Sequence, residues 1–312
     1  MIVFDFGQNS PLPSLLDALA GTGCFLATHP LFPAARCAAV LEDARAFFAL
    51  PETVKRALAI EASPHFRGYS VMHNARDWRE QIHFGREEAA IGSEPPCNQL
   101  RGPNLWPPDA SWRSRTLSLI ADLERASRDI LAAVAQSLSL PPSLFLPEDV
   151  APYLLLKLIH YQQTPDLQPR SGVAPHVDFS WITLLLQDNA GGLEIRKPDG
   201  SWIPVPATPG VLPVNVGEIL EFATRGRLAA TPHRVVSRGG SRISLPFFLN
   251  PSLDRRVEAL NFPPAFARES PADEHVHRVF SQPRLDPFVF GEQEWRRKGL
   301  GVYCGDCIQT PY

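Results

Sequence analysis

From Tyr153 onward the chain changes its period. Before that point apolar residues recur every three or four positions at Leu12 to Ala20, Ala34 to Phe48 and Trp112 to Leu138, between prolines and glycines, which predicts helices. After it come short apolar or alternating runs: Tyr153 to Tyr161, Trp181 to Gln187, Gly192 to Arg196, Val211 to Val216, Glu218 to Phe222, Thr231 to Ser237 and Arg242 to Asn250. Glycine, proline, asparagine and aspartate separate them, as expected of turns between strands. Many short strands at regular spacing point to a closed or double-sheet architecture, and a jelly roll is the form that leaves a deep mouth for a ligand. The expected fold is mainly β with flanking helices: a double-stranded β-helix (jelly roll) core over 151–255, a helical N-terminal region over 1–150 packed on it, and a C-terminal covering segment over 256–312. That last segment is rich in proline and carries one expected helix, Glu292 to Lys298, and the three parts are expected to form one integrated domain.

Composition narrows the function. With 312 residues, 44% of them hydrophobic, the chain can bury one large core. The 30 basic and 33 acidic side chains leave a net charge of -3, too weak a field to recruit nucleic acid or an acidic membrane, so the expected partner is a small molecule. Cys24, Cys37, Cys97, Cys304 and Cys307 are odd in number and scattered, which fits a reducing compartment better than a disulfide framework. The first ten residues carry Asp5 and lack the basic region and long apolar stretch of a secretory signal. The longest apolar run, Tyr153 to Ile159, is interrupted by Lys157 and is too short to span a bilayer. The expectation is a soluble, cytoplasmic protein, and nothing in the sequence indicates an oligomeric state.

The residues that carry chemistry lie in the strand-like half. His176 and Asp178 stand two apart in an extended stretch, where i and i+2 share a face. His233 follows in Thr231-Pro232-His233-Arg234-Val235. Two imidazoles and one carboxylate on one side of an iron(II) ion leave the other side open, the arrangement of oxygen-activating non-haem enzymes. Further on, Arg242 and Ser244 form another i, i+2 pair. A guanidinium fork binds a carboxylate through two bonds and a neighbouring hydroxyl can donate to the same group, which suits the far end of a keto diacid. Tyr161, at the end of its strand, could add a phenolic hydroxyl.

Each motif alone is common by chance; the weight comes from their order and their shared strand context. Other candidates lack this support. His275-Val276-His277 has ligand spacing but sits in a polar loop with no third partner, which predicts a solvated pair. Cys304 and Cys307 have the spacing of half a zinc site with no second half. Gly239-Gly240 is a turn rather than a phosphate cradle, since no helix pattern follows it.

Taken together, the motifs resemble the isopenicillin N synthase-like iron(II)- and 2-oxoglutarate-dependent dioxygenases. The likeness covers nearly the whole chain and is densest in His176-Val177-Asp178-Phe179-Ser180-Trp181-Ile182-Thr183-Leu184-Leu185-Leu186-Gln187-Asp188, Gly191-Gly192-Leu193-Glu194-Ile195, Thr231-Pro232-His233-Arg234-Val235 and Arg242-Ile243-Ser244-Leu245-Pro246-Phe247-Phe248. Weaker N-terminal signatures are Arg67-Gly68-Tyr69 and Asp77-Trp78-Arg79-Glu80. The resemblance implies iron(II) on His176, Asp178 and His233, and 2-oxoglutarate held by Arg242 and Ser244 with Tyr161. It implies that O2 oxidises a small-molecule substrate with release of succinate and carbon dioxide, hydroxylation being the default and desaturation or cyclisation the variants. Because Asp178 is a carboxylate, the open halide position of related halogenases is absent. Members that dispense with 2-oxoglutarate, such as isopenicillin N synthase and amino-cyclopropane carboxylate oxidase, keep the Arg-x-Ser pair, so that alternative stays open at this level. Substrate contacts are expected from Phe248, where some members place an aromatic residue. Tyr69 and His83 are expected to add to them, within an aromatic and basic segment (Phe66, Arg67, His73, Arg76, Trp78) that would rim the pocket.

Overall fold

The computed structural model describes residues 1–7, 12–74, 76–163, 168, 170–237, 239–262, 276–280 and 286–298. In chain order the helices are α1 (Leu12–Gly21), α2 (Ala34–Phe48), α3 (Glu52–Arg56), α4 (Ala110–Ser137), α5 (Glu218–Ala223) and α6 (Phe290–Arg297). The strands are β1 (Val3–Asp5), β2 (Cys24–Thr28), β3 (Gly68–His73), β4 (Trp78–Phe84), β5 (Leu154–Tyr161), β6 (Arg170–His176) and β7 (Ile182–Gln187), then β8 (Leu193–Arg196), β9 (Trp202–Pro204), β10 (Leu212–Val216), β11 (His233–Ser237), β12 (Arg242–Leu249), β13 (Arg256–Val257) and β14 (Phe288–Val289).

Eight strands form a large sheet in the order β1-β2-β10-β7-β12-β5-β4-β3, and four form a smaller one, β6-β11-β8-β9. The fold is a jelly roll with helices on its outside. Alternation along the strands of the large sheet divides two interiors. Leu154, Leu156 and Leu158 of β5, with Leu184 and Leu186 of β7 and Leu245 and Phe247 of β12, belong to the main core. On that face α2 packs against β5, β7 and β12, and α4 against β7 and β12. The opposite face looks into the roll, where Ile159, Tyr161 and Leu185 meet Leu193, Ile195 and Val235 of the small sheet.

The long helix α4 shows how sequence sets this outer layer. Trp112, Leu119, Leu123, Ile130 and Val134 are buried along one stripe at helical spacing. Asp109 caps its start, its carboxylate accepting from the backbone N–H of Ser111 (2.8 Å) and Trp112 (3.2 Å), a contact typically worth about 1 kcal/mol. Among the described residues no helix is long and apolar enough to cross a membrane.

Two features depart from the sequence reading. The N-terminal half, expected as helices, also supplies β1 to β4, so strands from both halves are hydrogen-bonded into one sheet. The run Glu218 to Phe222, expected as a strand, is the helix α5. Its apolar residues Ile219, Leu220, Phe222 and Ala223 recur at helical spacing and are all buried, and Glu218 and Glu221 stand in the first turn, where the helix dipole favours anions.

Helix α5 grips the loop that carries Asp178. The Glu218 N–H donates to the Asp178 carbonyl (2.8 Å), the Ile219 N–H to Ser180 (3.2 Å) and the Gly217 N–H to Trp181 (3.1 Å). A Cβ on Gly217 would collide with the Ser180 carbonyl and hydroxyl. Gly217→Ala is therefore expected to cost about 1–3 kcal/mol of stability, the usual range for overpacking, read as a lowered urea midpoint, and to weaken metal affinity with it. An unchanged midpoint would mean that this loop yields freely and does not position Asp178.

Candidate active site

The small sheet brings the two histidines side by side. His233 at the start of β11 pairs with His176 at the end of β6, and their ring centroids lie 4.2 Å apart. Each Nδ1–H donates to a backbone carbonyl two residues earlier, His176 to Ala174 and His233 to Thr231, both at 2.9 Å. A carbonyl only accepts, so these bonds place the hydrogen on Nδ1 and leave both Nε2 lone pairs free. Each Nε2 lies 3.6 Å from Oδ1 of Asp178. One ligand atom from each of the three residues lies within 4.8 Å of the others, close enough for all three to hold one ion.

Asp178 is not in the strand that ends at His176. The same-face argument therefore does not orient it; the bonds from α5 do. Its Oδ2 is buried with no hydrogen-bond partner, as an atom kept for a ligand would be. Burial opposes ionisation of Asp178, but the imidazoles of His233 and His176 and the Thr183 hydroxyl outweigh it and hold the carboxyl below the usual carboxylate range. Burial pushes His233 below the usual imidazole value, against the pull of Asp178. An ionised carboxylate and a neutral imidazole are the protonation states a metal requires. Two nitrogens and one oxygen, with cavity on their open side, fit iron(II).

Arg242 and Ser244 lie on the inner face of β12, 3% and 1% exposed. Arg242 is in register with Tyr161, and its guanidinium carbon stands 4.7 Å from that ring. Its Nη2 donates to Gln187 (3.0 Å), while Nε and Nη1 are buried without a partner. Such a fork is costly unless an anion completes it. Gly172 lets the smaller sheet close over Tyr161, since a Cβ there would press on the ring. The triad, Tyr161, Arg242, Ser244 and Phe248 all line one cavity of about 570 Å³, within the range of small-molecule sites.

Most of the aromatic and basic side chains expected at the substrate lie elsewhere. Tyr69 is a correction: it stands an odd number of residues from the cavity-lining Met72 of the same strand, faces the other side of the sheet, and gives its hydroxyl to Glu80 (2.6 Å). Glu80 also receives Lys55 (2.7 Å) and pairs with His160 (2.8 Å), a buried network outside the roll. His83 is a second correction: it is 1% exposed and does not reach the cavity. It stays on the inward face of β4, paired in register with Lys157, with both ring nitrogens unpartnered. Phe66 packs on Trp295, Arg67 donates to Tyr153 and Leu100, and His73 stacks on Trp78. Of the aromatic and basic residues expected there only Arg76 lines the cavity, beside Met72, Asn74, Asp77 and Arg79 of the same stretch.

Sequence reasoning missed Arg79, Lys157 and His277. The first two follow from strand parity once β4 and β5 are paired. His277, expected as half of a solvated pair, is a correction: it lines the cavity, bridges to His176, accepts at its carbonyl from the Val177 N–H (3.1 Å) and donates its N–H to Pro175 (2.9 Å). His275, Cys304 and Cys307 lie outside the described residues.

Comparison with known proteins identifies the family. Residues 152–251 match the 2OG-Fe(II) oxygenase superfamily, and residues 7–109 match the N-terminal region of non-haem dioxygenases described from morphine synthesis. The 2-oxoglutarate-dependent dioxygenase frbJ of Dothideomycetidae sp. (strain 11243) is 32% identical over 72% of this chain, which spans 65% of that protein. The 2-oxoglutarate-Fe(II) type oxidoreductase hxnY of Emericella nidulans is 30% identical over 76% of this chain and 73% of its own length. A full-length Neurospora crassa protein, crystallised with alpha-KG and thymine, superimposes with a TM-score of 0.77 over 95% of each chain at 21% identity, a likeness of fold. The descriptions of the two relatives carry 2-oxoglutarate, which favours the co-substrate-dependent reading over its alternative. A shared fold, a matching domain pair and relatives of this identity place the chain in the 2OG-Fe(II) oxygenase superfamily, as an iron(II)- and 2-oxoglutarate-dependent dioxygenase.

Proposed function

We propose that the chain hydroxylates a small organic molecule, with His176, Asp178 and His233 holding iron(II), and with Arg242, Ser244 and Tyr161 holding the far carboxylate of 2-oxoglutarate. The observation that carries this reading is the buried Arg242 fork with two unpartnered donors, on the wall of the same cavity as the triad. When bound, iron(II) supplies the oxidising chemistry, in which O2 and 2-oxoglutarate are consumed and succinate and carbon dioxide leave.

The chain's own contribution is to bind, orient and exclude water. The Ala174 and Thr231 carbonyls fix the two imidazoles, and α5 fixes the loop of Asp178. The aliphatic wall of Ile159, Leu185 and Val235 keeps the cavity dry around the fork, which strengthens a charge-assisted pair there. Phe248 offers the substrate an aromatic face. The buried free thiols of Cys24, Cys37 and Cys97 accord with a reducing, cytoplasmic setting.

Screening a metabolite library for stimulated succinate release tests the reading. A substrate should raise 2-oxoglutarate consumption, with succinate and oxidised product formed one for one. Turnover of such a compound at full rate without 2-oxoglutarate would assign the chain to the co-substrate-independent oxidases instead.

A further inference from the structure

Lys157 is the charged residue that interrupts the longest apolar run of the sequence, and the fold turns it inward. It sits on the inner face of β5, half-buried and lining the cavity. Its ammonium lies 5.3 Å from the centroid of the Phe248 ring. The strand position beside it is His83, whose ring nitrogens are both buried and unpartnered, so no carboxylate neutralises it from β4. The other cations on this wall are differently placed: Arg79 pairs with Asp77 (3.1 Å) and Arg297 with Glu294 (2.7 Å). Away from the triad and Arg242, four cations (Arg76, Arg79, Lys157, Arg297) line the cavity against two carboxylates (Asp77, Glu294) among the described residues. A cation held in such a place without a counter-ion is costly unless a ligand supplies one.

We propose that Lys157 receives an anionic group, most simply a carboxylate, of the prime substrate, with the ring of Phe248 packed against that substrate's apolar body. This deepens the function proposed above and rests on it. The anion is not the co-substrate's. Lys157 stands four residues from Tyr161, which is level with Arg242. At about 3.3 Å per strand residue the two levels are some 13 Å apart. Two anions can therefore be held at once, one on each side of the metal ligands' cavity. Burial, with Arg79, Arg297 and Lys298 nearby, pushes the Lys157 ammonium down to about 7, which Asp178 opposes; a carboxylate beside it would reverse that destabilisation.

The test uses the full chain loaded anaerobically with iron(II) and 2-oxoglutarate, and a panel of aryl and alkyl monocarboxylates, each paired with its methyl ester. Binding is measured by calorimetry. At least one acid is expected to bind about 10- to 100-fold more tightly than its ester, the range for a hydrogen bond to a charged group. In Lys157→Met that preference should fall to within about twofold, in Lys157→Arg it should survive, and 2-oxoglutarate titration should be unchanged in both. Lys157→Gln serves if the methionine variant does not fold. The inference is overturned if no acid outbinds its ester, if the preference survives in Lys157→Met or Lys157→Gln, or if co-substrate affinity falls with it. A wild type that binds no 2-oxoglutarate overturns the proposed function itself, and is told apart by the titration alone.

Discussion

Arg242→Leu is expected to lower affinity for 2-oxoglutarate by roughly one to three orders of magnitude while leaving iron(II) binding nearly unchanged. Nε and Nη1 of Arg242 are buried without a partner, and removing the fork would leave the far carboxylate of the co-substrate unpaired in a largely apolar wall. Truncating one member of such a pair costs about 2–5 kcal/mol, and each 1.4 kcal/mol is about tenfold. Lysine in its place should restore affinity only in part, because a point charge cannot reproduce two parallel bonds. The measurement is titration of the anaerobic iron(II) protein with 2-oxoglutarate, following the metal-to-ligand charge-transfer band. A curve in Arg242→Leu that overlays the wild type would remove Arg242 from the co-substrate site.

His233→Ala should have the complementary outcome. Loss of an outer-sphere partner of a metal ligand costs about 10- to 100-fold in affinity, and loss of a ligand itself should cost more, with turnover abolished. The effect has a second readout. A ligand that binds only the folded protein stabilises it by about 2.7 kcal/mol at one hundred times its dissociation constant, so iron(II) should raise the thermal midpoint of the wild type and leave that of the variant where it was. A variant that titrates with iron(II) like the wild type would displace His233 from the triad.

That these residues would come together was legible because they are written in order: His176, Asp178, His233, Arg242 and Ser244 follow one another through the strand-rich half, and the register pairs His233 with His176. The wall facing the substrate was not legible, and parity is the reason. Tyr69 and Met72 differ by an odd number of residues and so look to opposite sides of β3, which no inspection of an aromatic and basic segment reveals without its register. The run at Glu218 is five or six residues long, too short for its period to separate helix from strand. The strands β1 to β4 are three to seven residues each and interleave with stronger helical patterns, so their pairing partners lie far off in sequence. His277 is the same difficulty at its largest: nothing local to it announces that it will lie against His176.

That contact also has a place in time. All three residues of the triad are present in the chain once His233 has been synthesised, but the segment that bonds to Pro175 and Val177, and through the Val279 N–H to Glu218 (2.8 Å), follows roughly forty residues later in a chain made from its N-terminus at about 5–20 residues per second. For those seconds the nascent chain holds all three residues without the segment that covers one flank of them.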